Sequence, residues 1–272
     1  MRPARYKGLE HGYLQAAANR VRFLTRASTR YRGNMNVSVT YSLGEIRARD
    51  ISESTVVVID CFRASTSIVS ALAAGANAVY PFSGVGQARK EAAARGNVIL
   101  AGERGGARIP GFALGNSPGE FTAEAVGGRD VVMTTTNGTQ ILTASSSAAD
   151  VFVAGFVNAS VTARAVLAIG SDVVLAAAGT EGHFSVEDGL CAGLLTALVA
   201  AEGRIVPDDA AIFARAAYEG AKPNVAAAAR AGRGARNVKA LGLEKDLDVC
   251  LAIDSMPIIA KVALGPLRVV RP

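Results

Sequence analysis

The stretch Thr55-Val56-Val57-Val58-Ile59-Asp60 constrains this chain more than any other. Its apolar and β-branched residues run without alternation, so a strand here must be covered on both faces. Such a strand belongs to a largely parallel sheet with helices packed on either side. The run stops at a carboxylate, and residues 65–74 then read as a helix closed by Gly75. Composition suits these layers. Half of the residues (50%) are hydrophobic, 19% are charged and tryptophan is absent, so Ala, Val, Leu and Ile must fill the core.

The rhythm of strand, polar loop and helix recurs along the chain. Strands are expected at residues 36–40, 78–81, 97–101, 131–134, 151–155 and 172–177, and helices at 86–94, 138–144, 160–168 and 186–201. A glycine-rich loop, 102–117, leads into a short helix, 118–125, with Ser117 as N-cap and Pro118 in its first position. Beyond Glu202 the pattern changes. Residues 208–218 and 222–231 read as Ala-rich helices, 232–234 as a turn, 238–241 as a short helix and 257–270 as one or two edge strands. The fold class is therefore α/β: a largely parallel or mixed sheet with helices on both faces, in three α/β/α layers. Residues 35–272 make one catalytic domain on this reading. It is either undivided or carries a C-terminal helical lobe from about residue 203 with the site in the cleft.

Charge is unevenly placed. Residues 1–34 carry a net +7, and the remaining chain −1, within a total of +6. The basic character is thus confined to a flexible N-terminal extension, and the folded body gives no reason to expect nucleic acid. No run approaches the ~20 consecutive apolar residues of a membrane span. The three cysteines, Cys61, Cys191 and Cys250, have neither disulfide-framework nor zinc spacing, which fits a reducing cytoplasm. Cys61 reads as a small packing residue and Cys191 as buried and inert. Two familiar signatures fail. Gly84-Val85-Gly86 lacks the third glycine of a dinucleotide fingerprint, and no phosphate-binding G-x-x-x-x-G-K-[ST] loop occurs.

In open α/β sheets ligands bind outside the carboxyl ends of the strands, and five loops there are polar. The first is Asp60-Cys61-Phe62-Arg63-Ala64-Ser65-Thr66. It joins a carboxylate to an arginine able to grip phosphate or carboxylate with two parallel bonds, beside a helix N-terminus that favours anions. Asp60 and Ser65 could serve as helix caps, but capping alone gives Arg63 no role. The second loop holds Glu103 and Arg104 among glycines and continues to Asn116 and Ser117. The third, Thr135-Thr136-Asn137-Gly138, makes a polar nest for phosphate oxygens or a cluster of N-caps. Asn158 in the fourth is readable as a helix cap. The fifth brings Glu181, His183, Ser185, Glu187 and Asp188 together, hard oxygen ligands that suit Mg²⁺ or cap the long helix.

In order, the segments VVVIDCFRASTSIVSAL, GERGGARIPGFALGNSP, TTTNGT, GFVNAS and AGTEGHFSVEDGLCAG resemble the 2-phosphosulfolactate phosphatase family. The resemblance spans Val56 to Gly193 and weakens after Glu202. It implies Mg²⁺-dependent hydrolysis of a phosphate ester on a 2-hydroxy acid, (R)-2-phospho-3-sulfolactate to 3-sulfolactate, as in coenzyme M biosynthesis. A cytoplasmic α/β protein is also implied, with a homo-oligomer left open and neither membrane nor nucleic acid as partner. A small phosphorylated hydroxy acid brings several anions, which Arg63, Arg104 and helix N-termini can hold. The expected catalytic residues are Asp60, Arg63, Glu103, Arg104 and Glu187. Substrate contacts are expected from Ser65, Thr66, Asn116, Ser117, Thr135, Thr136, Asn137, Gly138, Asn158 and Glu181. Asp60, Glu103 and Asp188 are the expected metal ligands, and the nucleophile is either water or a side chain such as Asp60. A non-catalytic protein that binds anionic metabolites on the same scaffold is the competing reading.

Overall fold

The computed structural model describes residues 34–272, so the basic N-terminal extension lies outside the described residues apart from Asn34. Among those residues eleven strands form one sheet. They are β1 (Met35–Thr40), β2 (Thr55–Ile59), β3 (Ala78–Pro81), β4 (Val98–Arg104), β5 (Ala107–Arg108), β6 (Asp130–Thr134), β7 (Asp150–Ala154), β8 (Val173–Ala177), β9 (Ile205–Pro207), β10 (Ala260–Ala263) and β11 (Arg268–Val270). Their order across the sheet is β5-β4-β6-β3-β11-β10-β7-β2-β8-β1-β9. β2 lies between β7 and β8, parallel to both. Central placement explains its unbroken hydrophobic sequence, since every residue of it is buried.

Helices cover both faces. The principal ones are α1 (Leu43–Arg47), α2 (Ala64–Ala73), α3 (Val85–Arg95), α4 (Ala123–Val126), α5 (Gly138–Ala144), α6 (Ala159–Ile169), α7 (Val186–Glu202), α8 (Asp209–Ala221), α9 (Val225–Arg230), α10 (Arg233–Ala240) and α11 (Glu244–Cys250). Alternate residues of β2 serve opposite cores. Val56 and Val58 pack with Ile68 and Leu72 of α2 and Ile141 of α5, whereas Val57 and Ile59 pack with Ala163 of α6 and Leu190 and Leu194 of α7. The expected mixed α/β architecture is the one found.

The C-terminal strands correct the sequence reading. Residues 257–270 were expected at a sheet edge, but β10 and β11 form an antiparallel hairpin in the middle of the sheet. β10 pairs with β7 and β11 with β3, both antiparallel. Only two residue pairs join β10 to β7 and one joins β11 to β3, so strands this short carry no central-strand signature in sequence. The hairpin joins two parallel groups, β4-β6-β3 and β7-β2-β8-β1. Val79, Val131 and Met133 of one group share a core with Val56, Val58 and Val153 of the other. α2 and α5 pack in that shared core, and Arg63 in the loop after β2 reaches Gly106 in the loop after β4.

Two smaller differences bear on the site. The expected helix 118–125 is a 3₁₀ turn, Pro118–Glu120, followed by α4, and Thr122 rather than Ser117 supplies the side-chain cap. Ser117 is instead drawn to Asp246. The expected turn at 232–234 is the start of α10, with Gly232 at its N-cap.

Candidate active site

Asp60 follows directly on β2 and is 6% exposed. Its Oδ1 accepts the Ala64 amide, while its own amide donates to Ser65 Oγ at 2.9 Å. A Cβ on Gly138 would stand 2.7 Å from Asp60 Oδ2, so the glycine at the head of α5 allows that helix to abut the carboxylate. Burial raises the Asp60 pKa to about 7. The Glu103 charge adds to the rise, and the amides of Ala64 and Gly138 and the Arg63 guanidinium oppose it.

Glu187 and Asp188 open α7 from the loop after β8. Asp188 is a staple. Oδ1 accepts the Cys61 amide at 2.8 Å and Oδ2 the Gly179 amide at 3.0 Å, tying the loop after β2 to the loop after β8. Burial lifts its pKa well above the usual carboxylate range, with Glu187 and Asp60 adding to the rise. Glu187 is 1% exposed, and its Oε2 has no hydrogen-bond partner. Its pKa is raised to about 7, first by burial and then by the Asp60 charge. Ser185 occupies the N-cap position of α7 without a side-chain capping bond, and its hydroxyl pairs with Thr180 Oγ1. The helix-cap reading of this loop thus gives way to a buried carboxylate cluster.

Glu103 is arranged differently. Oε1 accepts the Thr136 amide at 2.6 Å, and Oε2 accepts the Gly106 amide at 2.7 Å and the Thr136 hydroxyl at 3.1 Å. It binds the loop after β4 to the loop after β6. Arg63, 4% exposed, pairs with Asp246 of α11 at 2.8 Å and donates to Ser117 Oγ and to the Gly106 carbonyl. Three of its five N–H groups are thereby engaged within the protein.

The other expected residues divide. Arg104 follows Glu103 on a strand and so faces the opposite way. It donates to the carbonyls of Glu103 and Ser83 and to Thr134 Oγ1, and the structure does not bring it to Asp60. Thr66 donates to the Cys61 carbonyl, and Thr135 exchanges bonds with Thr139. Asn158, fully buried, accepts the Gly155 amide and donates to the carbonyls of Val153 and Ile258, which is an anchoring role. Asn137 is half-buried at the head of α5 and makes no capping bond. Asn116 is buried with Oδ1 unpaired, and Glu181 is exposed in the turn closed by Thr180 and His183. Burial, with Cys191 beside it, pushes the Cys61 thiol well up, as an inert packing residue requires.

Two contributors escaped the sequence reading. Asp246 sits in an ordinary run of charges, Glu-Lys-Asp-Leu-Asp, with no local mark of its partner. Gly234 lies against Glu187, and its glycine was legible only as a turn residue.

Among the described residues no three His, Cys, Asp or Glu stand close enough to enclose a metal ion by themselves. Mg²⁺ commonly takes only one or two carboxylates and fills its shell with water and phosphate oxygens. The unpaired Glu187 oxygen beside Asp60 fits that donor set. No helix of the described residues is long and apolar enough to cross a membrane.

Fold and site together define an α/β enzyme with a buried carboxylate cluster where its strand ends meet. The profile of the 2-phosphosulpholactate phosphatase family matches residues 41–264. A protein of Clostridium acetobutylicum named "Probable 2-phosphosulfolactate phosphatase" is 31% identical over 233 residues, covering 85% of this chain and 99% of its own. Proteins of the same name from Caldanaerobacter subterraneus and Clostridium beijerinckii are 36% and 35% identical, each over 82% of this chain and over 93% and 96% of their own. The chain belongs to the 2-phosphosulfolactate phosphatase family, a family of phosphoric monoester hydrolases.

Proposed function

We propose that this protein hydrolyses the phosphate ester of a 2-phospho-hydroxy acid, (R)-2-phospho-3-sulfolactate to 3-sulfolactate and phosphate, and that it does so with Mg²⁺. Family membership supports the substrate. The observation that carries the metal is the buried pair Asp60 and Glu187, both raised to about 7, with Glu187 Oε2 unpaired. Two desolvated carboxylates, with the Asp60 charge raising Glu187 and one Glu187 oxygen left without a donor, are a place where a cation can replace protons.

Asp60 and Glu187 would hold the ion, which when bound polarises a phosphoryl oxygen and lowers the pKa of water. The remaining work falls to the chain. Asp188 ties the loop that carries Asp60 to the loop that leads into Glu187, and the Asp60 charge is felt at Glu187. Glu103 holds the Thr136–Gly138 turn at the head of α5, where a phosphate oxygen would be received. Arg63 supplies positive charge from a guanidinium locked by Asp246 and Ser117, so little ordering is left to be done on binding. In the reaction the P–O bond to C2 breaks, water supplies the new P–O bond, and the departing C2 oxygen takes a proton. The cytoplasmic placement rests on three buried cysteines, all free.

The test is phosphate release from 2-phosphosulfolactate and from other 2-phospho-hydroxy acids, with Mg²⁺ or with EDTA. Release that EDTA abolishes, and that falls about 10²- to 10⁴-fold in Asp60→Asn, is the expected result. Binding without turnover under any metal would place the protein among non-catalytic anion binders instead.

A further inference from the structure

Gly234 is the second residue of α10, and its neighbour Gly232 is the N-cap. A Cβ on Gly234 would fall 1.9 Å from Glu187 Oε1 and 2.9 Å from Glu187 Cδ. On Gly232 it would stand 3.0 Å from Glu187 Oε2. Neither glycine adopts a positive φ, so backbone freedom is not what it provides. Within a helix glycine is also the least favourable residue after proline. Alanine would suit the backbone at 234 better, and what stands in its way is the end of one buried side chain.

We propose that Gly234, with Gly232 beside it, is a positioning residue. The missing side chain makes a seat that holds the Glu187 carboxylate in place and leaves Oε2 open to a divalent cation. This role rests on the metal reading proposed above. The seat comes from the C-terminal helical region. The same region supplies Asp246 to Arg63, and Leu241 meets Gly106, where a Cβ would lie 2.3 Å from Leu241 Cδ1. α10 and α11 thus close the site from a third side. The atoms an alanine would displace at 234 belong to the far end of a flexible side chain, so the backbone need not move. Gly234→Ala therefore shifts the carboxylate and spares the fold.

The experiment is a titration of the full chain with Mn²⁺ alone, read by electron paramagnetic resonance, for wild type, Gly234→Ala, Glu187→Gln and the double variant. Gly234→Ala should melt within a few degrees of wild type and bind Mn²⁺ at least about tenfold more weakly. In the Glu187→Gln background it should change affinity by less than about twofold, because the two substitutions act on one contact. Should Gly234→Ala fold poorly, Gly232→Ala, whose Cβ would meet Glu187 Oε2 at 3.0 Å and the Ala229 carbonyl and Val186 Cβ at 3.2 Å, provides a milder displacement and should give a smaller loss that likewise vanishes in the Glu187→Gln background. Unchanged Mn²⁺ affinity in a folded Gly234→Ala or Gly232→Ala chain, or an equal loss with and without Glu187, overturns the role. A wild-type chain that binds no Mn²⁺ overturns the proposed metal and the role with it.

Discussion

Glu103 and Glu187 are both buried glutamates at the site, yet their surroundings are opposite. Glu103 accepts three hydrogen bonds, two from backbone amides, and joins the loops after β4 and β6. Glu187 faces a glycine, keeps one oxygen unpaired and has its pKa pushed to about 7 by burial and by Asp60. A satisfied carboxylate inside a protein is a structural part, because its charge is already spent on fixed donors. An unsatisfied one costs stability and is retained where a ligand will complete it. On the proposed function, the difference separates the side of the site that holds shape from the side that would perform chemistry.

The shape-holding side should break hardest when one partner is removed. Asp246→Ala leaves the Arg63 guanidinium buried without its counter-ion, which should cost about 3–5 kcal/mol in a denaturant titration. Destabilisation below about 1 kcal/mol would mean that Arg63 is free to turn elsewhere.

On the chemical side the effect is of similar size at most and has the opposite sign. Asp60 and Glu187 bind protons more tightly in the folded chain than their ordinary values of 3.8 and 4.5 allow. The folded state therefore carries extra protons between about pH 4 and pH 7, and the metal-free protein loses stability as pH rises through that window. Rises of this size correspond to a loss on the order of 3–4 kcal/mol per carboxylate, with Glu187→Gln melting higher than wild type at pH 8 without metal. Melting curves across pH in EDTA check this, and a wild-type chain that gains stability from pH 5 to pH 8 would contradict it.

Much of this division was visible in the sequence. The unbroken run of β2 gave its place between two parallel neighbours, because only a strand covered on both faces tolerates it. Asp60, Glu103, Glu187 and Asp188 were recognisable as strand-end carboxylates. Their separate tasks were not, since donors reach them from loops far apart in sequence: Thr136 to Glu103, Cys61 to Asp188. Arg63 was legible as an anion holder, but its partner lies 183 residues away. The β10–β11 hairpin was readable as strands and not as the centre of the sheet, since a few residues of pairing leave no pattern to read. Arg104 shows the limit of loop membership as a guide: one step along a strand turns a side chain to the other face.

The most direct measurement sets Glu103→Gln beside Glu187→Gln, with phosphate release from 2-phosphosulfolactate under saturating Mg²⁺ and thermal melting recorded for each. The two should cross. Glu187→Gln should lose at least about 10²-fold in turnover and, melted without metal at pH 8, be no less stable than wild type. Glu103→Gln should keep turnover within about tenfold and lose on the order of 2–3 kcal/mol of stability, because its charged acceptor is replaced by a neutral amide. Wild-type turnover in Glu187→Gln, or the larger loss of turnover in Glu103→Gln, would contradict the account.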